Sequence, residues 1–312
     1  MERVAIMDLG TNTFNLLVAE ENHSGPLKVL FENKLPVKIG KGGIHKKSIL
    51  PDAMERALTA VKEHAKKTKE FQTEKKIAYG TSALRGASNG KELMEKIKAQ
   101  SGFDVHIIDG NREAELIYFG IRESVELTDV PVLILDIGGG SNELIIANRK
   151  KIFWKKSFDL GIARLLELFH PSDPIQKKEI EEISRYFKQE LTPFFEAQEQ
   201  FQPKRLIGAS GTFDTFVSML AHAYPQNINE DKISQPIPMV LFDELYNNLI
   251  NSTLNERKKM PGLVEMRLEM IVLATYFVKF IMDETSVNEL WHSAYSLKEG
   301  AASEIFRKHI IK

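Results

Sequence analysis

A chain of 312 residues, 43% of them hydrophobic, is long enough to bury two separate cores. Its 42 lysines and arginines nearly cancel 43 aspartates and glutamates, which argues against a general binder of nucleic-acid polymers but leaves room for a local basic site facing a polyanion. Cysteine is absent, excluding disulfides, thiolate chemistry and Cys-ligated metals and fitting a reducing cytoplasm; no signal peptide and no apolar run of membrane-spanning length is visible.

In chain order, residues 4–20 read as a hairpin. An apolar strand ends at Asp8, Gly10 and Thr11-Asn12-Thr13 form the turn, and Leu16-Leu17-Val18 return. Residues 27–39 stay extended and close on Gly40-Lys41-Gly42-Gly43, where Lys38, Lys41, Lys46 and Lys47 offer a basic lip. Pro51 opens a helix whose apolar positions Met54, Ala57, Leu58, Val61 and Ala65 recur at helical spacing. A strand over 75–80 feeds the segment from Gly80 to Arg85; a helix over 90–100 and a strand over 105–108 follow. Asp109-Gly110-Asn111 then turns into an amphipathic helix over 112–125. Glu113 and Glu115 lie in its first turn, a place where acids also serve simply to offset the helix N-terminus.

Residues 128–131 bridge to the second half, so the predicted domains are 1–127 and 128–312, with the last helix free to pack back on the first. The second domain opens on residues 133–148: an apolar run to Asp136, the glycines Gly138, Gly139 and Gly140, then Ser141, Asn142 and Glu143, and a second apolar run. A shift of 128 positions carries Asp8 onto Asp136, Gly10 onto Gly138, Asn15 onto Glu143, Gly80 onto Gly208 and Ser82 onto Ser210. Two matched pairs of turns at one offset indicate an internal duplication. The rest reads as a strand over 151–159, helices over 161–169 and 175–199 (the latter long, charged and either kinked or shortened at Pro193), a strand over 205–208 and a helix over 213–223. Helices over 241–255, 264–282 and 299–311 complete the chain; 225–239 is a polar excursion, and 287–292 fits strand or helix. Each half is thus a mixed sheet flanked by helices, and the two face an interdomain cleft.

The glycine turns offer backbone donors to phosphate oxygens, and the flanking carboxylates suit a divalent cation held with them. No GxxxxGK[ST] and no HExxH occurs, so hard oxygen ligands and Mg²⁺ are favoured over a P-loop or a zinc site.

Six stretches carry a family resemblance: DLGTNTFNLLV at 8–18, GTSALRGASNG at 80–90, IDGNREAELIYFG at 108–120, LDIGGGSNELII at 135–146, GASGT at 208–212 and LKEG at 297–300. Their residues and order resemble the exopolyphosphatase/guanosine pentaphosphate phosphohydrolase family of the actin–Hsp70–sugar-kinase superfamily. The resemblance implies duplicated ribonuclease-H-like (actin-like ATPase) domains, a homodimer, and Glu113 as catalytic base in the pattern Gly110-Asn111-Arg112-Glu113-Ala114. It implies that Glu143 holds Mg²⁺ (or another divalent or a monovalent cation) or orients water, with Asp136 and Asp8 as further metal ligands. Arg85 is expected on the phosphate chain; Asn12, Thr13, Gly139, Gly140, Ser141, Ser210 and Gly211 cradle phosphoryl groups. Arg267 and Glu269 match an Arg-x-acid pattern in a late helix, read as a structural ion pair in preference to direct catalysis.

The implied activity is release of orthophosphate from the end of inorganic polyphosphate. Guanosine pentaphosphate is the alternative substrate; an ATP-dependent kinase and a non-catalytic polyphosphate or alarmone sensor are the other readings. Departures from the family pattern at Lys38, Asn15, Asn142, Glu269 and Lys298 bear on chain length and binding strength, since lysine lacks the bidentate fork of arginine.

Overall fold

The computed structural model describes residues 2–22 and 27–310. Contacts gather the chain into two compact units, one running up to Glu123 and including Gly138–Ser141 and the segment from Tyr295 onward, the other made of Ser124–Ile137 and Asn142–Ala294.

The first unit holds β1 (Arg3–Leu9), β2 (Thr13–Glu20), β3 (Lys28–Pro36), β4 (Lys75–Gly80) and β5 (Asp104–Ile107), in the order β3-β2-β1-β4-β5. The first three strands form an antiparallel meander, and β4 and β5 run parallel to β1. Val4, Ala5, Ile6 and Met7 in succession are fully buried, the continuous apolar run of a strand covered on both faces. At the edge, β3 carries Lys28, Glu32 and Lys34, the charged pattern that protects an open strand. Helices α1 (Pro51–Thr68), α2 (Ser82–Gly86), α3 (Gly90–Ser101) and α4 (Gly110–Ser124) flank the sheet. In α1 the stripe Ala53, Ala57, Ala60, Val61 and Ala65 is buried, with Pro51 in the first turn.

The second unit repeats the plan. Strands β6 (Val132–Ile137), β7 (Asn142–Ala147), β8 (Ile152–Phe158) and β9 (Arg205–Ala209) are joined by β10 (Ser234–Ile237) and β11 (Glu289–Ser293), in the order β10-β11-β9-β6-β7-β8. Both sheets are therefore mixed and helix-flanked, as expected of duplicated ribonuclease-H-like domains. Asp8 pairs with Asn15 across the first hairpin and Asp136 with Glu143 across the second, so the 128-residue repeat is a repeat of register. It slips across the parallel pair, where Gly80 faces Leu9 but Gly208 faces Leu135.

Helices α5 (Ile162–Phe169), α6 (Lys177–Glu190), α7 (Thr192–Phe201), α8 (Gly211–Ala223), α9 (Met239–Ile250), α10 (Leu254–Arg257) and α11 (Ile271–Asp283) surround this sheet over a core that includes Phe187, Phe194, Phe213, Phe216, Phe242 and Phe277. Three sequence expectations are corrected here. The single helix over 175–199 is two, because Pro193 sits in the first turn of α7, where its missing N–H is harmless. The helix over 264–282 begins as a 3₁₀ turn at Glu265–Arg267, and the helix over 241–255 is α9 followed by the separately capped α10. The polar excursion contains β10, and 287–292 resolves as the strand β11.

The last helix, α12 (Leu297–Ile310), belongs to the first unit and packs on β1 and β2; residue 311 of the predicted helix lies outside the described residues. It crosses α4 at two glycines. A Cβ on Gly300 would stand 1.8 Å from Leu116 O, and one on Gly120 2.0 Å from Ser296 O, so only glycine permits the approach. Arg112–Glu304 and Arg307–Glu123 ion pairs close the same helix pair.

Candidate active site

In the first unit, the turn after β5 starts α4 with the backbone N–H of Glu113 donating to Asp109 O at 3.0 Å. The Glu113 carboxylate is buried, and its Oε2 accepts from Arg85 Nη1 at 3.0 Å. The same Nη1 donates to Ile108 O at 2.9 Å. Arg85 thus ties the end of α2 to the β5–α4 turn and, through the same Nη1, holds the Glu113 carboxylate.

The two glycine turns share one hydrogen bond: Gly10 N–H donates to Thr13 O at 3.1 Å, and Gly138 N–H to Ser141 O at 3.0 Å. Within the first unit, Cβ atoms on Gly139 and Gly140 would lie 2.3 Å from Asn12 Nδ2 and 2.6 Å from both Ser82 Oγ and Thr11 Oγ1. Asn12, Gly139 and Gly140 are therefore brought together, with Thr13 and Ser141 closing their turns. The Asn12 carbonyl accepts from Val37 N–H (2.8 Å) and Lys38 N–H (2.9 Å), while Arg56 Nε donates to Val37 O at 2.9 Å. These bonds pin the lysine-bearing loop to the first turn; Lys41, Lys46 and Lys47 are exposed.

Asp8 accepts from Asn15 Nδ2 at 3.0 Å. Burial raises its pKa above the ordinary carboxylate value, opposed by the Asn15 bond and by the charges of Lys298 and Lys34. Lys298 in turn pairs with Glu32 at 2.9 Å and with Glu299. Asn15 Oδ1 is buried without a hydrogen-bond partner among the described residues, leaving a bare carbonyl oxygen next to the Asp8 carboxylate.

In the second unit, Asp136 and Glu143 face each other across β6 and β7. Glu143 is buried and accepts from Ser157 Oγ on β8 at 2.6 Å. Among the described residues no group of three acids or histidines forms a ready metal cage. The oxygen-only donors (Asp8 with Asn15 Oδ1, Asp136 with Glu143) nevertheless fit a hard cation, and Mg²⁺ characteristically takes one or two carboxylates together with water and phosphate oxygens.

Ser210 and Gly211 form the turn from β9 into α8. Ser210 N–H donates to Ser293 O at 2.7 Å, and Ser210 Oγ to Asp214 Oδ2 at 3.1 Å. A Cβ on Gly211 would be 3.2 Å from Arg267 Nη2. Arg267 corrects the expected ion pair with Glu269: Glu269 is exposed, and the guanidinium lies instead against Gly211, within the fields of Asp214 and Asp136. Burial lowers its pKa, and those two carboxylates oppose the shift. Asp214 was missed at the sequence level although it lies one helical turn after Ser210; its partner His292, bonded through Nε2 to Asp214 Oδ1 at 2.9 Å, carried no signal. A cavity of about 600 Å³ bordered by Met219, Leu220, Tyr224 and Met260 contains none of these residues.

Residues 17–309 match the Ppx/GppA phosphatase family. Among solved structures, an exopolyphosphatase from Cytophaga hutchinsonii is 38% identical, with 98% of each chain covered and a TM-score of 0.95. The Aquifex aeolicus member of the Ppx/GppA family is 23% identical over 99% of this chain and 98% of its own, with a TM-score of 0.81. An exopolyphosphatase-like protein is 22% identical over 99% of each chain, with a TM-score of 0.88. The last two speak to fold alone. The matched residues, the duplicated sheets and the relative of 38% identity together place the chain in the Ppx/GppA phosphatase family.

Proposed function

We propose that the protein hydrolyses the terminal phosphoanhydride of inorganic polyphosphate, releasing orthophosphate, with Glu113 as general base. The observation that carries this reading is the buried Glu113 carboxylate held in one direction by Arg85 at 3.0 Å. Its context is a family of phosphatases and a relative described as an exopolyphosphatase.

Hydrolysis of a phosphoanhydride requires an in-line water, a destination for its proton, and neutralisation of the non-bridging oxygens. In this reading Glu113 orients the water and takes its proton. Backbone N–H groups of Gly139, Gly140 and Gly211, with Asn12, Thr13, Ser141 and Arg267, bind phosphoryl oxygens, and Ser210 shapes the turn that presents Gly211. Mg²⁺ would be held by the carboxylate oxygens of Asp136 and Glu143 in the second unit or of Asp8 in the first, completed by phosphate and water oxygens, and would supply further charge neutralisation.

The test is phosphate release from polyphosphate with Mg²⁺ and no ATP, run beside guanosine pentaphosphate. Release is expected, and Glu113→Gln is expected to cut it by about 10²-fold or more while the variant stays folded. Full activity in Glu113→Gln rejects the base; phosphoryl transfer only from ATP to an acceptor supports a kinase; tight binding without release supports a sensor. A homodimer, proposed from the family resemblance alone, is checked by light scattering.

A further inference from the structure

Ser210 sits at the junction of β9 and α8 with φ 46° and ψ −155°. A residue with a Cβ rarely occupies this region, and it persists only where the surroundings over-determine it. Three bonds do so. Ser210 N–H is fixed by Ser293 O, Ser210 Oγ by Asp214 Oδ2, and Asp214 Oδ1 by His292 Nε2. His292 and Ser293 are consecutive on β11, so one strand grips the turn twice, through its backbone and through an imidazole.

The imidazole has no other hydrogen bond among the described residues. His292 is 2% exposed, and its Nδ1 is buried without a partner. An ionised carboxylate only accepts, so Nε2 is the donor and the ring's polar contact is directed at Asp214. A buried polar atom left bare costs free energy, and an apolar residue would fill a strand core without that cost. The other end of the chain of bonds is the first turn of α8. There the N–H groups of Gly211 and Thr212 have no carbonyl within the helix, Thr212 Oγ1 is buried without a partner, and Arg267 lies against Gly211.

We propose that Asp214 and His292 are positioning residues. They hold Ser210 in its strained conformation so that the first-turn amides of α8 and the Arg267 guanidinium receive the phosphate chain of the substrate. This rests on the polyphosphatase reading. Phosphates remote from the reacting bond are held equally in ground and transition states, so loosening their site raises KM and leaves kcat nearly unchanged. A defect of folding alone lowers the active fraction, reducing apparent kcat at unchanged KM.

The experiment is steady-state polyphosphate hydrolysis with Mg²⁺ by the full chain and by His292→Leu, His292→Gln and Asp214→Ala, with urea midpoints for each. The expectation is a rise in KM of about tenfold or more in His292→Leu and Asp214→Ala, as for loss of a hydrogen bond to a charged group. His292→Gln, which retains a side-chain N–H donor, should stay near the wild-type KM. An unchanged KM in both His292→Leu and Asp214→Ala overturns the inference and leaves the polyphosphatase reading intact. So does an equal rise in His292→Leu and His292→Gln. No phosphate release by the wild-type protein overturns both.

Discussion

Arg85 gives the clearest test at the scale of single residues. Its Nη1 bridges Ile108 O and Glu113 Oε2, so Arg85→Ala frees the carboxylate to turn away from the attacking water. Misplacement of a reacting group by an ångström costs on the order of 10²-fold in rate, and that loss is expected in kcat with a smaller change in KM. A loss confined to KM would mean that Arg85 grips the phosphate chain directly, as its sequence context first suggested. Steady-state kinetics on polyphosphate separate the two. The place of Glu113 in the first turn of α4 was legible from local pattern, a turn followed by an amphipathic helix, while its choice over Glu115 as base came from the family resemblance. The place of Arg267 was not legible. Its neighbour two positions on offered a carboxylate, and nothing local shows that the 3₁₀ turn at Glu265–Arg267 points the guanidinium to Gly211 on another element.

Two predictions belong to elements. Glu20 on β2 bonds Lys28 on β3 and Arg3 on β1, which are its register partners, at 2.7 and 2.8 Å. Lys28 first, then Arg3, hold its carboxyl at about 2 instead of 4.5. A carboxylate lowered on folding adds stability above its ordinary value and loses it as pH falls. The urea midpoint should therefore decline from pH 4.5 toward 2, and Glu20→Gln should flatten part of that decline. High salt should weaken the effect, since Arg3 and Lys28 are partly exposed. In α12, Gly300→Ala gains up to about 1 kcal/mol of helix propensity. It also drives a methyl to 1.8 Å from the Leu116 carbonyl, a backbone atom that cannot step aside alone. Overpacking of this kind costs about 1–3 kcal/mol or more, so net destabilisation is expected in urea unfolding. The glycine in LKEG was visible in the sequence; its reason was not, because the α4 backbone it meets lies 180 residues earlier, at Gly120. The break between α6 and α7 was half visible, since Pro193 signals a stop without saying whether the chain bends or restarts.

For the whole molecule, the duplicated sheets were readable because both hairpins keep the same acid-to-partner spacing, which becomes register once the strands pair. The short strands β10 and β11 were not readable: four or five residues give too little alternation, and their place is set by pairing of β11 with β9 and of β10 with β11. The absence of a three-carboxylate cage among the described residues bears on metal dependence. Chelation should stop phosphate release and added Mg²⁺ should restore it. Mg²⁺ alone should shift the melting temperature little, whereas Mg²⁺ with a phosphate chain should shift it clearly, because the chain supplies the missing oxygen ligands. A large shift with Mg²⁺ alone would point to a site built wholly from protein groups.

The first unit is discontinuous along the chain, taking in Gly138–Ser141 and everything from Tyr295 onward, while the second lies nested inside it. During synthesis from the N-terminus, β1 to β5 leave the ribosome early, yet α12, which covers β1 and β2, emerges only after the whole second unit. The nested unit can complete its core while the enclosing one still exposes apolar sheet. Released chains ended at residue 294 should therefore resist protease over 142–294 and be cut within 2–123, a vulnerability that ends when α12 docks.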